Sequence, residues 1–124
     1  MSGREWSLGL TRDGRSSEMV LLNLNQSFTL LDSVPATPVE SAIVCLPIRC
    51  TTFTWQTIYD TEPSVADITI FGSLDGVNFA EIDDSDVVTG EIRTVNTNCT
   101  HIKAGLVTAT DGADISVLIV PKDL

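Results

Sequence analysis

The chain has 124 residues, 43% of them hydrophobic, so it is long enough for one domain with its own core and too short for two ordinary domains. Its net charge of -10 argues against binding to nucleic acid or to an anionic membrane surface, because both require clusters of Lys and Arg. The odd cysteine count argues against a secreted disulfide framework, so Cys45, Cys50 and Cys99 are expected to be reduced thiols.

Residues 1–17 are predicted to form an extended N-terminal arm, since they are rich in Ser, Gly and Arg and contain few apolar residues. Residues 1–15 carry a net charge of +1, whereas the other 109 residues carry -11. No apolar run in this segment is typical of a signal peptide, and none in the whole chain is long enough to span a membrane. Its candidate partner-binding residues are Arg4, Trp6, Leu8, Arg12 and Arg15.

The remaining residues, 18–124, are predicted to form one β-sandwich domain. Glu18–Leu24 and Ala42–Leu46 are short apolar runs of strand length. Residues 25–40 lie between them and are predicted to be mainly loop, because Pro interrupts both ladders and helices.

A longer strand is predicted over Cys50–Tyr59, which is rich in Thr and aromatic residues. Alternation with a period of two places Phe53, Trp55 and Thr57 on one face.

A β-hairpin is predicted next, with strands over Asp67–Ser73 and Val77–Ile82. The turn between them contains Asp75-Gly76, a pair that favours the positive φ angles of tight hairpin turns. Residues 83–90 are acidic and end in Gly, so they are predicted to be a loop.

Three more strands complete the predicted domain: Glu91–Val95, His101–Thr108 and Asp114–Val120. The last is a nearly continuous β-branched run and is predicted to be a central strand, buried on both faces or at an interface. About eight strands, with turn signals roughly every ten residues and no helical spacing, predict an all-β fold, an antiparallel β-sandwich and specifically a jelly roll.

One predicted hairpin also resembles a known family. Residues 68–79, which contain Ser73-Leu74-Asp75-Gly76-Val77-Asn78-Phe79, resemble the S-x-D-G-x-x-F hairpin of discoidin-like and galactose-binding-like jelly rolls. Residues 100–106 resemble the strand that precedes the last strand of those domains. The arrangement is also similar to small jelly-roll structural proteins of tailed bacteriophages, including capsid decoration (cement) proteins, which pair an irregular N-terminal arm with a short sandwich.

Candidate chemical sites are few. His101 is the only histidine and lies two residues after Cys99, so the two side chains share a face of the predicted strand; they are interpreted as an edge histidine beside an inert thiol. The acidic cluster Glu81, Asp83, Asp84 and Asp86 lacks the spacing of an EF-hand and is expected to be solvated. No catalytic residue, cofactor or metal site is predicted, and the chain is not expected to be an enzyme.

The resemblance implies a structural protein of a phage virion, most specifically a capsid decoration protein. Such a protein binds the major capsid protein or another virion protein on the outer surface, is made in the host cytoplasm, and is expected to form a homo-oligomer, most readily a trimer. Binding only the assembled shell would stabilise that shell by mass action. The alternative is a carbohydrate-binding or adhesin module of a phage tail or baseplate, which would present exposed aromatic residues around a shallow site.

Overall fold

The computed structural model of the protein describes residues 19–123. Within that range the chain is all-β, and it contains no helix that could cross a membrane. Two sheets pack face to face, which confirms the predicted antiparallel β-sandwich. The predicted arm, with Arg4, Trp6, Leu8, Arg12 and Arg15, lies outside the described residues.

The ten strands of the described region follow one another with short connections. In chain order they are β1 Val20–Leu21, β2 Phe28–Val34, β3 Val39–Glu40, β4 Val44–Cys45, β5 Thr52–Thr61, β6 Val65–Ser73, β7 Ala80–Ser85, β8 Ile92–Asn96, β9 His101–Thr110 and β10 Ala113–Lys122.

The strand order of the two sheets is that of a jelly roll. One sheet has four strands in the order β2-β10-β5-β8. The other has six, in the order β1-β4-β9-β6-β7, with β3 also pairing β9. All these pairs are antiparallel except β1 with β4. The strands from β2 to β10 therefore make the two interleaved Greek keys of this architecture.

The core lies between the sheets and is supplied by alternate residues of the four longest strands. This confirms the period of two predicted for Phe53, Trp55 and Thr57, and all the inward-facing residues of these strands named below are at most 2% exposed. From the four-stranded sheet these residues are Phe53, Trp55, Thr57, Ile115, Val117 and Ile119, and from the six-stranded sheet Ile68, Ile70, Ile102, Ala104 and Leu106.

The prediction that residues 25–40 are mainly loop was wrong for β2, which occupies seven of those positions. Leu30 and Leu31 are buried in the core, so this segment gains more from packing than its composition indicated. Pro35 comes directly after the strand ends and Pro38 comes just before β3, so neither proline interrupts a ladder.

The predicted bounds of the β6–β7 hairpin were also partly wrong. β7 begins at Ala80 rather than Val77, because the preceding residues belong to a long, hydrogen-bonded connection. It then continues through Asp83 and Asp84 to Ser85, whereas the sequence predicts a loop over these residues. Asp83, Asp84 and Ser85 pair with Ile70, Thr69 and Ile68 of β6, beyond a bulge between Asp83 and Glu81, so main-chain pairing outweighs their low strand propensity.

The last strand, β10, is central in its sheet, as predicted, since it lies between β2 and β5. It alternates instead of being buried on both faces. Ser116, Leu118 and Val120 are half-buried and point away from the core.

Replacing Ile119 by Ala should test the position of the core. Ile119 is fully buried, so the substitution leaves a cavity and should lower the free energy of unfolding by about 2–5 kcal/mol. Urea denaturation would measure this change. Val107→Ala is the matched control, since Val107 is 46% exposed, and should change stability by less than about 0.5 kcal/mol. Equal effects at the two positions would contradict the assignment.

Candidate functional site

The connection between β6 and β7 is folded around the carboxylate of Asp75. Its Oδ1 accepts hydrogen bonds from the backbone N–H groups of Asn78 and Val77, each at 2.8 Å, and its Oδ2 accepts one from the Asn78 side chain at 2.8 Å. The Ser73 hydroxyl donates to Oδ1 at 2.9 Å and accepts from the Gly76 N–H at 2.9 Å. The backbone bonds, followed by those from the side chains, hold the pKa of Asp75 well below its usual value.

The residues of the S-x-D-G-x-x-F segment therefore build this connection. Gly76 has a φ of +78°, and a Cβ there would lie 3.1 Å from the His101 ring. Phe79 is half-buried, with the Lys103 ammonium 4.8 Å from its ring centroid. Only Leu74 and Val77 present large exposed apolar side chains, at 77% and 78% exposure.

A shallow groove of 470 Å³ runs between this connection and residues 97–99. No aromatic side chain lines it. Every aromatic residue of the described region is buried or half-buried: Phe28, Phe53, Trp55, Tyr59, Phe71 and Phe79. The exposed aromatic platform expected of a sugar-binding module is thus absent from residues 19–123.

The candidate pair Cys99 and His101 is not assembled as a nucleophile and base. The His101 Nδ1 lies 2.7 Å from the Thr100 hydroxyl, and its ring packs against the Gly76 turn. Cys99 packs beside Gly72, and burial raises the pKa of its thiol, which disfavours the reactive thiolate. No hydrogen bond joins the two side chains among those found for the described residues.

The acidic cluster divides between two environments. Asp83 points to the edge of the core, where its Oδ2 accepts hydrogen bonds from Trp55 Nε1 and Arg93 Nε, both at 2.9 Å. Burial raises the pKa of Asp83, but the hydrogen bonds from Arg93 and Trp55 outweigh it, so this pKa lies below its usual value. Arg93 also contacts Glu91, which accepts a hydrogen bond from Ser85 at 2.6 Å. This network joins the two sheets.

Glu81, Asp84 and Asp86 remain exposed to solvent. Within residues 19–123, no group of His, Cys, Asp and Glu side chains has the arrangement needed to hold a metal ion.

The outer face of the six-stranded sheet is acidic. Its register places Glu40, Gly105, Thr69 and Asp84 in one row across the sheet. Lys103, Phe71 and Glu81 form the adjacent row. Lys103 is already paired with Glu40, at 3.0 Å. Asp67 lies on the same strand, β6, beyond these two rows. Burial raises the pKa of Asp67, and the neighbouring charges of Asp84 and Asp86 raise it further, which shows that the negative charges of this face lie close together.

The outer face of the four-stranded sheet carries no charge at its centre. Its register places nine uncharged side chains in three rows. We call this set the uncharged face: Thr29, Leu118, Gln56 and Ile92 in the middle row, Val120, Thr54 and Thr94 in the second, and Ser116 and Ile58 in the third. Charged residues of the same strands lie at its margins: Asp32, Asp60, Asp114 and Lys122.

Two side chains give the uncharged face its exposed apolar area. Ile58 is 40% exposed and Ile92 is 64% exposed. Thr54 and Thr94 are joined across the strands by a hydrogen bond of 3.0 Å between their hydroxyl groups. The solvated face of an antiparallel sheet is normally polar, and this one combines five Thr, Ser and Gln side chains with four aliphatic ones and no charge.

A groove of 360 Å³ borders the uncharged face beside Ile58 and Ile92. Its wall is the connection that ends at Gly90, which has a φ of +92°. A Cβ at Gly90 would lie 2.8 Å from the Thr57 carbonyl oxygen, so only glycine allows the wall to lie this close to β5. Two hydrogen bonds of 3.0 Å between Thr57 and Glu91 hold it there.

Sequence reasoning did not find the uncharged face. The visible signal is the absence of charge at the outward positions Thr54, Gln56 and Ile58 of one predicted strand. Recognising the surface also requires the pairing of β8 and β10 with β5, which the sequence does not reveal.

Comparison with known proteins gives no sequence relative: no family model matches the chain, and no curated protein matches it. Solved structures do share its fold. The SPBc2 prophage-derived protein YomS has a TM-score of 0.58 at 8% identity, over 76% of this chain and 90% of YomS. The PBSX exported protein XepA has a TM-score of 0.59 at 8% identity, over 92% of this chain. The K2 cleaved adhesin domain of Lys-gingipain has a TM-score of 0.49 at 11% identity, over 66% of this chain and 61% of that domain.

The two higher scores establish that this chain shares its fold with YomS and XepA. This chain spans 43% of the length of XepA, so XepA contains much more than the matched region.

Replacing Asp83 by Ala should destabilise the protein by about 1–3 kcal/mol, since the Trp55 N–H and Arg93 would lose their shared acceptor. The free energy of unfolding in urea is the readout. Asp84→Ala removes the neighbouring, exposed carboxylate and should change stability by less than about 0.5 kcal/mol. A change of the same size in the two variants would show that Asp83 does not link the sheets.

Replacing Asp75 by Asn should lower the melting temperature at pH 7, because the carboxylate that organises the connection is lost. The folded-state pKa of Asp75 is depressed, so its contribution is fully present above the unfolded value of about 3.9 and falls as the pH drops toward the folded value. The difference in melting temperature between wild type and variant should therefore shrink below about pH 4. Asp60→Asn, an exposed control at the end of β5, should show a much smaller difference at pH 7. A pH-independent difference for Asp75 would refute this account.

Proposed function

We propose that this chain is a structural protein of a tailed-phage virion, and specifically a capsid decoration protein. In this proposal trimers sit on the outer surface of the shell and bridge neighbouring subunits of the major capsid protein. The protein is made in the host cytoplasm and acts by binding, without catalysis.

The observation that carries the proposal is the division of the sandwich surface into an acidic face and an uncharged face. A protein that coats a particle needs one surface that stays hydrated and another that contacts the shell or a neighbouring copy. The acidic face, with Glu40, Glu81 and Asp84, suits the first role, because like charges keep coated particles apart. The uncharged face suits the second role.

The grooves of the described region also favour a role in assembly. Those bordering the uncharged face and the β6–β7 connection are shallow, and the enzyme-like pair Cys99 and His101 is not assembled. The common fold with the prophage-derived protein YomS supports a phage origin.

The proposed mechanism is mass action combined with multiple attachment. A partner that binds the assembled shell, and not the free subunits, stabilises the shell. The gain in free energy grows with the logarithm of the partner's concentration divided by the dissociation constant of the partner. Three copies held together attach at several points, so the avidity of a trimer exceeds the affinity of each contact. A segment of 17 residues spans at most about 55–60 Å when fully extended, which sets the longest reach of the cationic arm.

Deleting residues 1–15 should abolish or greatly weaken attachment to particles while leaving the sandwich folded. The arm contains Trp6 and three arginines, which are residue types common at interface hot spots. Trp6→Ala should weaken binding by about 1–3 kcal/mol. Occupancy on purified particles is measured by co-sedimentation.

The matched control for the deletion is a chain whose first fifteen residues are kept in composition but shuffled in order. Circular dichroism confirms that each variant remains folded. Unchanged occupancy after deletion would eliminate the arm as the attachment element. If the shuffled chain binds particles as well as wild type does, attachment depends on the charge and composition of the arm and not on the order of its residues.

A further inference from the structure

We propose that the uncharged face lies on the symmetry axis of the homo-oligomer and is the contact between copies of this chain. The occupant of the face is a second copy of the same sheet. The inference rests on the oligomeric part of the proposed function and assigns a surface to it.

Symmetry gives the first argument. In a cyclic oligomer each residue near the axis approaches its own copies, so a charged side chain there always meets charges of the same sign. Like charges placed opposite each other cost several kcal/mol at an interface. A surface on the axis must therefore be nearly free of charge, and the nine residues of the uncharged face meet this condition.

The charges of the rest of the chain give the second argument. With a net charge of -10, two copies repel each other unless their carboxylates are kept apart or paired. On the acidic face Glu81 and Asp84 would meet their own copies, and Lys103 is already paired with Glu40. Across the uncharged face, Asp114 and Lys122 are each four residues from Leu118, or about 13 Å, which exceeds the Debye length of about 8 Å at physiological salt. The nearest charge is the exposed Asp32 on the edge strand β2, opposite Ser116, so it lies at the rim of the contact and not on its axis.

The size and apolar content of the face give the third argument. Four strands about 4.8 Å apart and about 25 Å long present on the order of 500 Å². A specific contact buries roughly 800 Å² on each partner, so this face supplies most of one. Exposed Ile58 and Ile92 supply its apolar part, and the groove beside them offers a recess for side chains of the adjacent copy.

The test is the mass of the full chain in solution, measured by sedimentation equilibrium. Wild type is expected to be a trimer. Gln56→Glu adds one carboxylate in the middle row at almost constant size, and Ile92→Glu adds one at an exposed position. Both should raise the dissociation constant at least about 100-fold, without changing the circular dichroism spectrum.

Val107→Glu is the matched control, because it adds the same charge on the outer face of the other sheet. It should remain a trimer. Higher salt should tighten the wild-type oligomer, since salt screens the net repulsion and the contact holds no ion pairs. Lowering the pH below about 4.3 neutralises the introduced carboxyl group. The dissociation constant of Gln56→Glu should then approach that of Val107→Glu at the same pH.

Three results would overturn the inference: a monomeric wild type, equal dissociation of Gln56→Glu and Val107→Glu, or an oligomer that is lost on deletion of residues 1–15 but kept in Ile92→Glu. A wild-type dimer that Gln56→Glu dissociates would support the contact and contradict the proposed trimer. Particle binding is measured separately, so failure of the decoration role is distinguishable from failure of this contact.

Discussion

Strict alternation along β5 and β10 is the constraint on which the rest of the molecule depends. Because Trp55 and Ile119 lie side by side in the core, the residues between the inward positions are forced outward in a fixed register. A shift of one residue would bring Gln56 and Leu118 into the core and expose the aromatic residues. The strand pairing that builds the interior therefore also decides which residues lie on the outer face.

A second constraint acts where the two sheets meet at their edge. The N–H group of the Trp55 indole is costly to bury without a hydrogen-bond acceptor, and Asp83 of the opposite sheet supplies that acceptor. Arg93 then balances the charge of the carboxylate. A single hydrogen-bonded group thereby connects β5, β7 and β8, and satisfies a donor and a charge that would otherwise be costly to bury.

Local pattern was sufficient to predict the sandwich, the inward face of β5 and the turn at Asp75-Gly76, because alternation and turn chemistry are properties of neighbouring residues. It failed for β2, whose burial depends on contacts with β10, and for Asp83, whose partner Trp55 lies 28 positions away. The uncharged face was missed for the same reason, since Ile92 and Leu118 meet beside Gln56 only after three strands have paired.

The acidic run of β7 has a consequence for how copies of the protein avoid one another. β7 is an edge strand, and its unpaired backbone groups would otherwise accept a strand from another molecule. Glu81 and Asp84 are exposed along this edge, so a second β7 approaching it would bring carboxylates against carboxylates. Residues that resemble a cation site in the sequence thus work against open-ended growth of the sheet into fibrils.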